Sequence, residues 1–197
     1  MSLPGNRTSR RQRPLTQDGL RQAAYRYLQR FAATEASLVR VLDAKIKRAL
    51  GPDAEREEFA RWQAAAREVA RSCVELGLVD DRSYARARAR RLHLQGKPLQ
   101  RIGGMLAEKG VAPEDVEDAI GALAEECGPA LDLRAAIAYA RRRRLGPFSR
   151  NARNDPDARR KALGAFARAG FAYHLAVRVL DAPDEESLDA FLDEAEE

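Results

Sequence analysis

The sequence predicts an all-α protein made of tandem helical repeats, and three observations predict it. Hydrophobic residues make up 45% of the 197 residues and charged ones 33%, yet aromatics are only 6%. Much of the apolar content is alanine, so the chain is dominated by strong helix formers, Ala, Leu, Arg and Glu. Apolar residues recur every three or four positions in stretches closed by glycine or proline, the signature of short amphipathic helices. Finally, shifting the chain against itself by sixty residues lays Leu106, Gly110, Val111, Ala119 and Ile120 on Phe166, Gly170, Phe171, Val179 and Leu180. Both stretches read as a helix, a glycine stop, one apolar residue and a second helix. Such self-similarity marks repeat proteins, which bury their apolar faces between neighbours and build extended surfaces rather than closed catalytic pockets. The expected architecture is three tandem three-helix repeats in an elongated, curved array, flanked by two charged ends.

Each element follows in order. Residues 1–16 carry Arg7, Arg10, Arg11 and Arg13 without an apolar pattern and read as a disordered basic arm. Repeat one, 17–79, opens with a helix whose stripe is Leu20, Ala24, Tyr27, Leu28 and Phe31. Thr34 caps the next helix, with Leu38, Val41, Leu42 and Ile46 inward and a stop at Gly51-Pro52. A long third helix, about 55–76, turns Phe59, Trp62, Ala66, Val69, Ala70 and Cys73 to the core and ends before Gly77.

Repeat two, 80–127, begins with Asp80 or Asp81 as cap and packs through Tyr84, Ala85, Ala89 and Leu92. After Gly96-Lys97-Pro98, a second helix carries Leu99, Ile102 and Leu106 to Gly110, and Pro113 opens a third lined by Val116, Ala119, Ile120 and Leu123. Repeat three, 128–182, has a helix from Asp132 to Arg144, a loop of about a dozen residues, a helix started by Asp155-Pro156 and stopped at Gly170, and a last helix with Leu175, Val179 and Leu180. A short acidic helix over 183–197 turns Leu188, Phe191 and Leu192 inward.

The charge balance is +5, and its distribution is uneven. Between Arg82 and Ala107 no acidic residue occurs, while Arg82, Arg86, Arg88, Arg90, Arg91, Lys97 and Arg101 do. Arg82, Arg86, Arg90 and His93 advance by three or four and form one row on one side of the apolar stripe. Guanidinium rows suit phosphates, because each fork makes charge-assisted, often bidentate bonds; an ordinary solvated helix face is the alternative reading. Arg141, Arg142, Arg143 and Arg144, with Arg150 and Arg153 in the following loop, repeat the theme. Four consecutive arginines cannot all face one way on a helix. The expected contact is non-specific and electrostatic, to single- or double-stranded DNA, since no base-reading helix stands out. The acidic end reads as a solubilising tail, as a segment that folds back on this basic surface, or as a contact to a basic patch on a partner.

No catalytic, cofactor-binding or metal-binding set is expected. His93 and His174 stand without a nearby acid or cysteine at relay or ligand spacing, Asp80-Asp81 reads as a helix cap, and Gly103-Gly104 is no phosphate loop. Cys73 and Cys127 are expected to be reduced, partly buried small hydrophobes, with a regulatory disulfide as the alternative. No apolar run approaches the ~20 residues of a membrane span, and the start of the chain lacks the apolar core of a signal peptide, so a cytoplasmic location is expected.

Three segments carry a family resemblance: Gly77-Leu78-Val79-Asp80-Asp81-Arg82-Ser83-Tyr84-Ala85; Gly96-Lys97-Pro98-Leu99-Gln100-Arg101-Ile102 with Leu106 and Lys109-Gly110-Val111; and Arg168-Ala169-Gly170-Phe171 with Val179-Leu180. In order and spacing they resemble the bacterial RecX regulatory proteins, over about residues 20–181. The resemblance implies a non-catalytic modulator of the RecA recombinase, usually an inhibitor; a monomer is expected. Its relatives lie along the groove of the RecA–DNA filament and oppose filament growth, ATP turnover and strand exchange, so regulation of DNA repair, recombination and the SOS response is implied. A sequence-specific DNA-binding transcription regulator is the competing reading. The chain departs from the family pattern at Ser37, usually glutamate; at Ala172, usually a hydroxyl cap; at Gly103-Gly104 inside a helix; and in a longer connection around Pro52.

Overall fold

The structure, a computed structural model, describes residues 14–128, 130–149 and 155–194. Most of the expected basic arm, together with Arg150 and Arg153, lies outside the described residues. Every regular element within them is helical, ten α-helices and one 3-10 turn, and the chain divides into two compact units, residues 1–80 and 81–197.

The first unit holds α1 (Gln17–Leu28), α2 (Glu35–Leu50) and α3 (Arg56–Glu75). Two of the three starts are fixed by threonine. Thr16 Oγ1 accepts from the Gly19 amide at 3.0 Å, and Thr34 Oγ1 accepts from the Ser37 amide at 3.0 Å. Each bond satisfies one of the four amide donors that a helix start leaves unpaired. Ser37, three residues after the cap, also accepts from the Thr34 hydroxyl at 2.9 Å, so the serine keeps a side-chain contact with the cap where the family pattern has glutamate. The core is Leu20, Ala24, Leu38, Leu42, Ile46, Ala66, Val69, Ala70, Cys73 and Val79, with Phe59 and Trp62 half-buried against it. Phe31 corrects the sequence reading. It lies beyond the end of α1, 51% exposed, so it never joins the helical stripe; it packs on the Tyr27 ring at 5.1 Å instead. Cys73 is buried, which pushes its thiol pKa up, and both cysteines are free thiols.

The second unit contains two cores. Helices α4 (Asp81–Leu94), α5 (Leu99–Ala107) and α6 (Pro113–Cys127) enclose Ala85, Ala89, Leu92, Ile102, Leu106, Val111, Ala119 and Leu123. Helices α7 (Leu131–Arg143), α8 (Pro156–Ala169), α9 (Tyr173–Leu180) and α10 (Glu185–Glu194) surround Phe166, Phe171, Tyr139, Val179 and Leu188. The sixty-residue repeat has a backbone cause. At the end of α5 the Val111 amide reaches back to Leu106 O at 3.3 Å, and at the end of α8 Phe171 reaches Phe166 O at 3.1 Å. Gly110 (φ 82°) and Gly170 (φ 91°) supply the left-handed residue that this stop needs. The apolar residue after each glycine drops into its own core. The stop recurs at α4, where Lys97 bonds Leu92 O at 3.1 Å past Gly96, and at α7, where Leu145 bonds Ala140 O at 2.9 Å. There the left-handed position is filled by Arg144, φ 55°, ψ 49°.

Two features join the bundles of this unit. The start of α5 is Pro98, whose side chain has no oxygen to offer; Asp132 of α7 takes over, its Oδ1 accepting from the Leu99 amide at 2.8 Å. Arg142 Nη1 donates to Gln95 O at 3.0 Å. The 95–99 segment is thus held at both ends by α7. Gly103 has a packing reason, because a Cβ there would begin 3.3 Å from Ile120 Cδ1 on α6. Gly104 has none: a Cβ would meet open space.

Two substitutions should therefore raise stability. Gly104→Ala adds helix propensity worth about 0.8–1 kcal/mol, and Arg144→Gly removes a left-handed strain of about 1 kcal/mol. Denaturant titration of each variant checks both; a lower midpoint for Gly104→Ala would mean that the gap beside it is closed in solution.

Candidate nucleic-acid interface

The arginine row of α4 is exposed, but it carries its own counter-ions. Arg82 and Arg86 both reach Asp118 on α6, Arg86 through Nε to Oδ2 at 2.6 Å and Nη2 to Oδ1 at 2.8 Å. Arg90 grips Glu126 with both Nε, at 2.8 Å, and Nη2. As the cation advances along α4 its partner advances along α6, so the two helices run in the same direction. The acid-free stretch from Arg82 to Ala107 is therefore acid-free only along the chain; its partners come from 32 to 36 residues away. The arrangement holds Asp118 well below the usual carboxylate range, through hydrogen bonds from Arg82 and Arg86, and lowers Glu126 through Arg90. The same bonds raise the pKa of Arg86 and Arg90.

Along α7 the arginine run splits several ways. Arg141 lies over the Phe148 ring at 5.2 Å and meets Glu185 at 3.4 Å. Arg142 is pinned to Gln95 O, with its guanidinium 5.9 Å from the Tyr139 ring, and Arg143 lies 5.9 Å from the same ring. Arg144 caps the helix. Nearby, Lys97 follows the glycine stop of α4. Lys97, Arg142, Arg143 and Arg168 line one cavity of about 390 Å³ with Tyr139, Ala165 and Ala169. The structure thus brings together Lys97, Arg142 and Arg143 of the expected site residues, and separately Arg82, Arg86 and Arg90. Arg91 is exposed on α4, and Arg101 faces Glu108 at 3.8 Å. Arg168 and Tyr139 were not among the expected site residues. Arg168 stood inside a family segment, which was its only signal; Tyr139 reads as core from its spacing.

The acidic helix folds back. Leu188 is 1% exposed against the Tyr139–Phe166 core, Glu185 meets Arg141, and Glu194 meets Arg178 at 3.0 Å. Arg178 also stacks on Phe191 at 4.5 Å. Arg159 at the start of α8 holds Asp181 with two bonds of 2.9 and 2.8 Å. Among the described residues no group of three or more His, Cys, Asp or Glu could hold a metal, and no helix is long and apolar enough to cross a membrane. His93 Nδ1 is buried without a hydrogen-bond partner among the described residues. Burial pushes its pKa below the ordinary 6.5; Asp132 opposes that shift and Arg134 reinforces it.

Residues 80–120 match the family model described as RecX, second three-helix domain. The chain is 34% identical over 180 residues to the regulatory protein RecX of Myxococcus xanthus (strain DK1622), covering 89% of this chain and 91% of that one. It is 35% identical over 117 residues to the regulatory protein RecX of Agrobacterium fabrum (strain C58 / ATCC 33970), covering 58% of each. A crystal structure of a regulatory protein RecX superposes with a TM-score of 0.61 at 20% identity, covering 84% of this chain and 72% of that one. The crystal structure of RecX from Lactobacillus salivarius gives 0.53 at 18%, covering 90% and 96%.

The paired row makes a direct prediction. Asp118→Asn with Glu126→Gln removes the carboxylates that Arg86 and Arg90 hold, so affinity for an oligonucleotide should rise at low salt and its salt dependence should steepen. Fluorescence anisotropy at two ionic strengths reads both; an unchanged affinity would take the row away from nucleic acid. His93 makes a second. A pKa lowered on folding means the fold prefers neutral imidazole, so this contribution is complete above about 6.5 and is lost as pH falls below it. Unfolding free energy of the parent should drop from pH 7.5 to 5.5 more than that of His93→Gln; equal slopes would show that the imidazole is solvated.

Proposed function

Given that the chain belongs to the RecX family of regulatory proteins, we propose that it binds RecA and its nucleoprotein filament and lowers RecA ATP turnover, filament growth and strand exchange, thereby regulating DNA repair and recombination. The observation that carries this reading is the extent of the likeness, 34% identity over 89% of the chain rather than over one motif. A non-catalytic, regulatory role is part of the same reading.

The arginines of the second unit supply the nucleic-acid side of the reading. Arg82, Arg86, Arg90, Arg91, Lys97, Arg101 and Arg141 to Arg144, with Arg150 and Arg153 outside the described residues, are the proposed contacts to filament and DNA. Those already paired must exchange a carboxylate for a phosphate. That exchange weakens affinity and narrows the set of contacts made at physiological salt. About six phosphates neutralised would cost roughly 10³-fold in affinity from 50 to 200 mM salt.

The test is the DNA-dependent ATPase of the cognate RecA with this protein titrated in. The rate should fall. A midpoint far below one molecule per RecA would indicate capping of filament ends, and one near stoichiometry coating of the groove. A flat titration with bare DNA still bound would overturn the proposal.

A further inference from the structure

Four cations line the cavity at the joint of the two bundles in the second unit: Lys97, Arg142, Arg143 and Arg168. Their positions follow from the sequence. Lys97 follows the glycine stop of α4, Arg142 and Arg143 close α7, and Arg168 lies two residues before the stop of α8. Three helix C-termini therefore meet here, and the negative end of each favours positive charge, so an anion entering the cavity is drawn by its cations against those helix ends. The helix ends explain how four like charges are tolerated together. Among the described residues none of the four meets a carboxylate.

Elsewhere in the unit Arg88, Arg91, Arg144 and Lys161 likewise show no ion pair among the described residues, but they are not gathered around one cavity, and the remaining arginines are mostly paired. Arg82, Arg86, Arg90, Arg141, Arg159, Arg160 and Arg178 each meet an aspartate or glutamate. No carboxylate lines the cavity, and no ion pair joins any of its four cations to one among the described residues. The walls are also fixed in advance. Tyr139 is 8% exposed, packs edge-on against Phe166 at 5.1 Å, and donates its hydroxyl to Ala165 O at 3.1 Å. Its ring positions Arg142 and Arg143, and Gln95 O holds Arg142 from the other side. Arg168 lies along its own helix, where a Cβ on Gly164 would come within 3.2 Å of its Nη1. Arg142, held from two sides, loses little freedom on binding.

We propose that this cavity is a phosphate seat. Three guanidinium forks and an ammonium outnumber the two oxygens of a carboxylate, whereas a phosphate group offers oxygens in several directions and takes bidentate bonds from each fork. The cavity, about 390 Å³ and open to solvent, has room for a phosphate group. The source is either a nucleic-acid backbone or a free phosphate. The backbone case rests on the function proposed above; the seat itself does not.

The test uses the full chain and the variant Lys97→Gln, Arg143→Gln, Arg168→Gln, with Arg142 kept because it holds the 95–99 segment. A control removes the same charge from α3 with Arg56→Gln, Arg67→Gln, Arg71→Gln. Inorganic pyrophosphate binding is read by calorimetry and a labelled 20-nucleotide strand by anisotropy at 50 and 200 mM salt. Should the triple variant melt early, the single Arg143→Gln and Arg168→Gln variants replace it. The expected result is loss of pyrophosphate binding, at least about tenfold weaker strand binding at 50 mM salt and a shallower salt slope, with the α3 control near parent. Loss of pyrophosphate alone would support the seat and assign it to free phosphate. Both ligands bound as by the parent, or a control equally impaired, would overturn it. A parent that seats phosphate but leaves RecA ATPase unchanged would overturn only the proposed function.

Discussion

The hydrogen bond from the Leu99 amide to Asp132 is the constraint on which the second unit depends. A helix that starts at proline has no side-chain oxygen to give its own first amides, so α5 would begin with those donors unsatisfied. Asp132 supplies the acceptor from α7, and its negative charge lies at the positive end of α5. One carboxylate therefore sets the register of one bundle against the other. The bond from Arg142 to Gln95 O repeats the hold from the far end of the same loop. Gly96 lies between these holds, where a side chain would begin 3.8 Å from Ala135 O and the backbone is left-handed at φ 72°. The Gly96-Lys97-Pro98 segment is thus explained by geometry: a stop, a cation at the joint, and a helix start that another repeat must cap.

The distribution of charge follows from the same geometry. Helices that run side by side, as α4 and α6 do, place residues of similar height opposite each other, and a row of cations spaced by four meets acids spaced by eight. Exposed pairs of this kind add little stability, because water screens them and long side chains lose freedom. Their larger effect is on the surface field. A neutralised row attracts phosphate less than its sequence suggests, and the unneutralised cations at the joint weigh correspondingly more.

Much of the fold was legible in the sequence because helix ends are local events. Thr34, the Asp155-Pro156 start and the Gly110 and Gly170 stops act within a few residues. The starts at Thr34 and Asp155 and the stop at Gly170 stand within a residue of their reading, while α5 ends at Ala107, before Gly110. The bare start of α9 at Ala172 was equally legible, and no side chain caps it. Phe31 was misplaced because a stripe continues in a sequence after its helix has ended. The counter-ions of the arginine row were out of reach for another reason. Nothing within Arg82 to Ala107 records that Asp118 and Glu126 return beside it; only the packing of α6 on α4 does. Arg168 and Tyr139 were hidden likewise, since a cavity between bundles belongs to no single segment.

The acidic helix extends this logic to the end of the chain. Leu188 anchors α10 in the core of the last bundle, so Glu185 and Glu194 are held against Arg141 and Arg178 rather than carried on a free tail. Anchored acids neutralise chosen arginines, whereas a mobile tail would screen all of them in turn. Arg141 is taken by Glu185, while Arg142 and Arg143, one and two positions further along α7, turn toward Tyr139 and the cavity. A run of four identical residues is thereby divided by its surroundings into a structural ion pair, two fixed donors and a helix cap, and the part that remains open to an anion is set by where the neighbouring helices place their carboxylates.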